Sequence, residues 1–209
     1  MTDALVIVFV KNIKLGTVKT RLAKTIGDLG AFEVYSELVK ITEKATAQLD
    51  IDKRIYFSTA VVDSQWIGDF KTVQNGADLG ERMLNAFRDG FDAGYKKIVL
   101  IGSDLPDINE THIKKGIEAL SENDVVFGPA EDGGYYLIGL SKIKESIFIN
   151  KPWSQSSLLN ETLQELQRLN VSVGTLASLN DIDTYEDLIA SDFYKSNIKL
   201  QEKIQQLND

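Results

Sequence analysis

The sequence predicts a single α/β domain, residues 1–209, built on an open, mostly parallel sheet with helices on both faces. Short apolar segments rich in β-branched residues alternate with longer segments whose apolar residues recur at helical spacing. The first apolar segment, ALVIVFV (4–10), is unbroken, which is typical of a strand buried on both faces of a parallel sheet. No internal repeat or linker-like stretch divides the chain.

The predicted strands and helices follow from these two kinds of segment. The predicted strands are 4–10, 54–59, 71–74, 97–106, a strand–turn–strand unit over 124–141, and 171–177. The predicted helices are 30–49, 78–95, 109–120, 156–169, one opening at 181–188, and a C-terminal helix at about 191–207. The C-terminal stretch IKLQEKIQQL (198–207) is expected to pack on its own domain or on a partner, so a homodimer stays open.

Composition excludes several classes of protein. The net charge of −8 argues against a general nucleic-acid binder or a binder of anionic membranes. The absence of cysteine excludes disulfides, thiol catalysis and zinc–thiolate sites. The segment 4–10 is too short to span a bilayer and lacks the basic flank of a signal peptide, so we expect a cytoplasmic protein.

Positive charge is nevertheless concentrated after the first strand, in the segment KNIKLGTVKTR (11–21), here called the basic loop. A loop between a buried strand and a helix is a favourable place for phosphate, because backbone N–H groups point outward there. Gly16 would let the backbone approach an anion, and Lys11, Lys19 and Arg21 would supply charge. Solvated surface lysines are the alternative interpretation. The loop contains neither a Walker motif nor GxGxxG.

Asp104 ends the most strand-like segment, in GSDLP (102–106), and so lies at the edge of the sheet that the basic loop also faces. A carboxylate in a phosphate site has a use if it holds Mg²⁺ or Mn²⁺, which bridges phosphate oxygens. A turn is the alternative, because Asp and Pro both favour turns. Ser103, beside Asp104, is a further candidate for nucleotide contact.

The segment AEDGGYYLIG (130–139) is either a hairpin turn or a close approach of backbone to a ligand. Glu131 and Asp132 are candidates for binding sugar hydroxyls, for assisting a metal or for acting as a base. Gly133, Gly134 and Tyr135 would admit a ligand beside the backbone.

Three further candidates follow the third strand. Gln74 has a side chain that can pair with the edge of a nucleobase, and Gly76 and Gly80 would admit the flat base.

Asp181 and Asp183, in LNDIDTYEDL, fit a helix cap with first-turn acids, or a second metal ligand. Trp153 would either stack on a ligand or pack in the core.

In order, VKNIKLGTVKTRLA, QNGADLGERM, GSDLP, GPAEDGGYYLIGL, PWS and DIDTYEDL resemble a glycosyltransferase-like family with the nucleotide-diphospho-sugar transferase (GT-A) fold. Some members are named arsenosugar-biosynthesis glycosyltransferases, and the family is related to 2-phospholactate guanylyltransferases. The resemblance covers about residues 4–190. It implies a nucleotide in the crevice, a divalent metal on Asp104, phosphates at the basic loop, base recognition at Gln74 and Gly80, and an acceptor at Asp132 to Tyr135.

Three functions remain open, and glycosyl transfer, which the resemblance favours, is the first expectation. The resemblance favours a metal-dependent glycosyltransferase that uses a nucleotide-diphospho-sugar and a small-molecule acceptor, with Asp132 or Glu131 as base. Residue chemistry favours nucleotidyl transfer, in which an ionised phosphate attacks a nucleoside triphosphate and no base is required. The third is a non-catalytic nucleotide-binding protein.

Overall fold

The structure, a computed structural model, describes residues 2–208 and contains one seven-stranded sheet within that range. The strands are β1 (Ala4–Val10), β2 (Asp52–Phe57), β3 (Phe70–Val73), β4 (Lys97–Ile101), β5 (Val125–Pro129), β6 (Tyr135–Leu140) and β7 (Val173–Thr175). Their order is β3-β2-β1-β4-β6-β5-β7. β6 runs antiparallel to both of its neighbours, and the other pairings are parallel.

Helices cover both faces of the sheet, which confirms the predicted fold class. They are α1 (Thr20–Ala47), α2 (Leu79–Asp92), α3 (Glu110–Ala119), α4 (Leu158–Arg168), α5 (Tyr185–Ala190), α6 (Asp192–Ser196) and α7 (Ile198–Asn208). α1 and α3 pack on the face of β1 that carries Val6 and Val8, while α2 and α4 pack on the face that carries Leu5 and Ile7. None of the helices in the described range has the length and apolar character needed to cross a membrane.

α1 begins at Thr20, ten residues before the predicted start. The helix is interrupted at Gly27, whose backbone is non-helical (φ 73°, ψ 164°). The first segment is nevertheless anchored, because Leu22 and Ile26 are buried against the C-terminal helices. The basic loop is therefore shorter than the sequence indicated, and Arg21 lies on the helix.

The C-terminal region forms two helices rather than one. Asn197 ends α6, and its side-chain Oδ1 accepts a hydrogen bond from the Leu200 N–H in the first turn of α7. Leu200 and Ile204 are buried against α1, and Lys203 forms an ion pair with Glu33 at 2.7 Å. Of the two predicted alternatives for this stretch, packing on its own chain is the one observed.

Candidate active site

The carboxyl ends of β1, β2 and β4 lie side by side. Val8 of β1 pairs with Ile101 of β4, and Val10 pairs with Phe57 of β2. The basic loop and GSDLP therefore begin at adjacent points of one sheet edge, as the sequence predicted. In open parallel sheets this edge is where ligands bind.

Two side chains fix the start of the basic loop. The Tyr35 hydroxyl, on α1, is 2.8 Å from the Ser103 Oγ and accepts a hydrogen bond from the Lys11 N–H at 3.0 Å. Asn12 Oδ1 accepts hydrogen bonds from the backbone N–H groups of Thr59 and Ala60 at 2.8 and 3.2 Å. The end of β1 is thus tied to the ends of β4 and β2. Ser103, predicted to contact nucleotide, is buried and bonded to Tyr35.

Sequence reasoning missed Tyr35 and Asn12. Tyr35 lies inside the predicted helix 30–49, whose prediction used only the helical spacing of apolar residues. A signal was present, because a tyrosine hydroxyl on the buried face of a helix requires a hydrogen-bond partner.

Three carboxylates meet at this edge, and we call Asp104, Asp181 and Asp183 the acid triad. Each offers one oxygen that lies within 4.8 Å of the other two. The Ile182 N–H approaches the Asp104 carbonyl at 3.5 Å, so the two segments are in contact. All three residues are partly exposed.

Asp181 and Asp183 do not cap α5. Thr184 is the N-cap, and it forms a capping box with Asp187. Asp187 also accepts a hydrogen bond from the Asp183 N–H at 3.1 Å. The segment before α5 is therefore fixed by other residues, which leaves the Asp181 and Asp183 carboxylates available to the acid triad.

Lys19 lies between the members of the acid triad. Its Nζ is 3.1 Å from Asp104 Oδ2 and 2.8 Å from Asp183 Oδ1, and its side chain is only 5% exposed. Arg21 approaches Asp183 from the outside, with Nη2 2.6 Å from Oδ2, and its side chain is 65% exposed. One lysine is thus buried among the acids, and one arginine remains open to solvent.

The three ionisable partners have different pKa shifts. Burial and the nearby charges of Asp104 and Asp183 raise the pKa of Asp181 to about 6. Burial alone would raise the pKa of Asp183, but the charge and hydrogen bond of Lys19, with Arg21, lower it. Burial alone would lower the pKa of Lys19, but attraction to Asp104 and Asp183 raises it. Lys19 is therefore a permanent cation.

The acid triad opens into a cleft of about 600 Å³, here called the main cleft. Its wall contains eight of the predicted site residues: Arg21, Asp104, Asp132, Gly134, Tyr135, Trp153, Asp181 and Asp183. Apolar side chains that the sequence did not single out as site residues form much of the remaining wall: Phe9, Leu79, Met83, Leu100, Ile138 and Leu158. A smaller cavity of about 130 Å³ lies beside Lys11, Lys19 and Arg21.

The predicted base-reading residues lie away from this wall. The Gln74 amide donates to the Tyr56 carbonyl at 3.0 Å. Gly76 (φ 147°) passes so close to α2 that an added Cβ would lie 2.6 Å from the Arg82 nitrogen. Gly80 is buried, and an added Cβ would lie 2.2 Å from the Phe148 carbonyl oxygen. Among the described residues, this segment contributes Leu79 and Met83 to the main cleft instead.

The turn between β5 and β6 places Asp132 on the cleft wall and Glu131 on the exposed surface. Asp132 Oδ1 accepts a hydrogen bond from the Gly134 N–H at 2.8 Å. Gly133 has φ 90°, and its carbonyl accepts the Leu159 N–H at 3.0 Å. The Tyr135 hydroxyl is buried without a hydrogen-bond partner among the described residues. Burial raises the pKa of that hydroxyl.

Two more predicted residues have structural contacts. Gly16 has φ 75°, which favours glycine in the exposed loop, and it lies near the Asp28 carboxylate. Trp153 contributes to the cleft wall and also packs on Gly80, so it has core contacts, while its stacking on a ligand stays a prediction.

The donor set of the acid triad fits a hard divalent cation. Carboxylate oxygens are the ligands that Mg²⁺ and Mn²⁺ prefer, and three of them converge here beside an open cleft. With one ammonium among three carboxylates, the cluster retains excess negative charge. Asp104, Asp181 and Asp183 are therefore the residues that could hold the ion.

Residues 44–155 match the protein family described as "Uncharacterized protein conserved in bacteria (DUF2064)". The chain belongs to this family. The DUF2064 match runs from the end of α1 through the main-cleft residue Trp153, and so includes Asp104 and the turn at Asp132. The basic loop and Asp181 and Asp183 lie outside it.

Solved structures support the fold of this DUF2064 chain. It is similar to a protein of Desulfovibrio desulfuricans G20 described as a "putative nucleotide-diphospho-sugar transferase", with 31% identity, 99% of both chains covered and a TM-score of 0.84. Rv0371c of Mycobacterium tuberculosis H37Rv, solved in complex with manganese, shares the fold at 13% identity, with 90% of this chain and 97% of that chain covered and a TM-score of 0.53.

A curated relative is the 2-phospho-L-lactate guanylyltransferase of Methanocaldococcus infernus. It is 29% identical over 121 residues, which cover 56% of this chain and 53% of that protein. The match thus spans about half the length of the relative. The resemblance to guanylyltransferases and to the nucleotide-diphospho-sugar transferase fold is confirmed, whereas the arsenosugar assignment stays a prediction.

Proposed function

We propose that this protein is a divalent-metal-dependent transferase that acts on a nucleotide, and that the transfer is nucleotidyl transfer. The observation that carries the proposal is the acid triad, which meets Lys19 and Arg21 at the carboxyl edge of a parallel sheet and opens into the main cleft. Acids alone would repel a phosphate. Acids that hold a cation next to Lys11 and Arg21 form a site for a polyphosphate.

The residues divide into three roles. Asp104, Asp181 and Asp183 hold Mg²⁺ or Mn²⁺, which supplies positive charge to the phosphate oxygens. Lys11 and Arg21 bind the outer phosphates of the nucleotide. Tyr35 acts through the Lys11 backbone and Ser103, so it is a positioning residue.

In nucleotidyl transfer, an oxygen of a phosphorylated small molecule forms a bond to the α-phosphorus of a nucleoside triphosphate. The α–β bridging bond breaks, and pyrophosphate leaves with the negative charge. The attacking phosphate is already ionised, so the chain need supply only positioning and charge stabilisation. The similarity to a guanylyltransferase supports this choice.

Glycosyl transfer is the second candidate, and a specific observation favours it. The Asp132 carboxylate lies on the cleft wall and is close enough to Asp181 to contribute to its raised pKa. It could therefore take a proton from an acceptor hydroxyl that attacks the sugar carbon of a nucleotide-sugar. The similarity to the Desulfovibrio protein fits this alternative equally well.

The test is a thermal-shift panel of nucleoside triphosphates and nucleotide-sugars, each with and without Mn²⁺. A ligand that binds the native state raises the melting temperature according to its concentration and affinity. We expect one triphosphate to produce a Mn²⁺-dependent shift of several degrees, and Asp104→Asn to abolish it. Asp107→Asn, which alters an exposed acid three residues away, is the matched control and should keep the shift.

The outcomes separate the candidates. A shift produced mainly by one nucleotide-sugar would move the assignment to glycosyl transfer. No shift with any compound, or the same shift in Asp104→Asn, would contradict a metal-dependent nucleotide site.

A further inference from the structure

Lys19 occupies the interior of the site where the proposed function requires a cation. Its Nζ makes ion pairs with both Asp104 and Asp183, at 3.1 and 2.8 Å. A metal ion shared by the same carboxylates would lie within a few ångströms of that ammonium. At this separation two cations repel strongly, because the half-buried site screens charge less well than water does.

Lys19 enters the site from an uncommon backbone conformation. Lys19 has φ 47° and ψ 49°, the left-handed conformation that residues with a side chain seldom adopt. Its neighbours Val18 and Leu22 are buried, so the backbone is anchored on both sides. Although Lys19 occupies the N-cap position of α1, its side chain makes no capping bond. From this anchored backbone the Lys19 side chain reaches Asp104 and Asp183.

We propose that Lys19 is an internal counter-cation that excludes a divalent ion from the acid triad until phosphate arrives. Without ligand, the ammonium neutralises part of the charge of Asp104 and Asp183. When a metal enters, Lys19 loses these partners and needs another anion. A phosphate oxygen of the nucleotide is that anion, since the cavity beside Lys19 is lined by Lys11 and Arg21, whose charges outnumber that of Asp183, the one acid in its lining.

The consequence is that metal and phosphate bind together, while the metal alone binds weakly. This inference rests on the proposed function only in assuming that a divalent cation uses the acid triad. It does not depend on which group is transferred or on which nucleotide is used.

The test measures Mn²⁺ binding without nucleotide, from the electron paramagnetic resonance signal of the free ion. Lys19→Met removes the ammonium and keeps most of the apolar stem. We expect it to lower the Kd for Mn²⁺ by about tenfold or more. If Lys19 were only a structural support, its loss would separate the carboxylates, and affinity would fall or stay the same.

Arg21→Met is the matched control. It removes a positive charge from the same Asp183, but from the exposed side, so we expect a change of less than about threefold. An equal gain in Mn²⁺ affinity in both variants would overturn the proposal, because the effect would then come from net charge and not from the position of Lys19. Absence of Mn²⁺ binding in wild type and Lys19→Met would contradict the metal site itself. Circular dichroism checks that both variants fold.

A second measurement uses the unchanged protein. In a crystal structure with Mn²⁺ and tripolyphosphate, we expect Lys19 Nζ to contact a phosphate oxygen and to have left the space between Asp104 and Asp183. A structure with Mn²⁺ on the acid triad and both Lys19 ion pairs intact would overturn the proposal even if the methionine variant failed to fold.

Discussion

At the residue scale, two carboxylates separated by one position have opposite effects on stability. The pKa of Asp181 is raised to about 6, so its folded form holds a proton more tightly than the unfolded chain does, where the ordinary value is 3.8. The ionised form therefore opposes folding, and the stability that Asp181 contributes at low pH is lost as the pH rises toward 6. The pKa of Asp183 is lowered, so its contribution to stability is fully present above the ordinary pKa and is lost as the pH falls through the lowered one.

This contrast predicts opposite outcomes for two matched substitutions. Asp181→Asn should raise the free energy of unfolding at pH 7 by about 1 kcal/mol, because solvent screens the charge of this partly exposed side chain. The gain in stability should be smaller at pH 4.5, where Asp181 is largely protonated in the folded protein. Asp183→Asn should lower the free energy of unfolding by about 1–2 kcal/mol at both pH values, because Lys19 loses an ion-pair partner. Urea denaturation in metal-free buffer measures the free energy of unfolding of both variants. The same sign for the two variants at pH 7 would contradict the assigned electrostatics.

At the element scale, the turn between β5 and β6 packs closely against the segment before α4. Gly133 makes this possible, since an added Cβ would lie 2.0 Å from the Ser156 carbonyl oxygen. Its φ of 90° also favours glycine. The contact holds residues 153–156 beside the turn that carries Asp132, and both segments line the main cleft.

Gly133→Ala should therefore lower the free energy of unfolding by about 2–4 kcal/mol, from the combination of backbone strain and steric overlap. Gly94→Ala isolates the strain, because φ is 94° there and nothing lies within 4 Å of an added Cβ; about 1 kcal/mol is expected. Gly134→Ala, without a positive φ, should cost less than Gly133→Ala. Thermal or urea unfolding measures the loss of stability in each of the three variants. A cost at Gly133 no larger than at Gly94 would show that the turn is not fastened to Ser156.

At the scale of the whole molecule, the C-terminal helices pack against segments that carry residues of the acid triad. Leu200 and Ile204 of α7 share one buried cluster with Leu22 of α1 and with Ile182, which lies between Asp181 and Asp183. Three distant parts of the chain thus hold the start of α1, which follows Lys19, next to the segment that carries Asp181 and Asp183.

Leu200→Ala should lower the free energy of unfolding by about 2–4 kcal/mol, as expected for a buried leucine, and should also weaken Mn²⁺ binding. Leu207→Ala is the control on the same helix; its side chain is 39% exposed, and a change within about 0.5 kcal/mol is expected. The measurements are urea unfolding and Mn²⁺ titration. If Leu200→Ala lost stability but bound Mn²⁺ like wild type, α7 would not support the site.

Local sequence pattern was sufficient to predict the fold class, the order of the elements and the edge of the sheet where the site lies. These depend on local pattern, because an unbroken β-branched segment predicts a buried parallel strand and the residues after it must lie at its carboxyl end. Asp104 and the basic loop were located in this way. The start of α1 was not predicted correctly, since Gly27 interrupts the helical pattern and only the burial of Leu22 and Ile26 keeps the earlier turns helical.

Which charged side chains come into contact depends on the tertiary fold and could not be predicted from local pattern. Lys19 pairs with residues 85 and 164 positions away, and local pattern carries no information on such a separation. The place of β6 between β4 and β5 has the same origin, because strand pairing depends on how whole elements pack. The tertiary structure also removed Asp181 and Asp183 from the helix cap, by giving that position to Thr184, and so completed the acid triad.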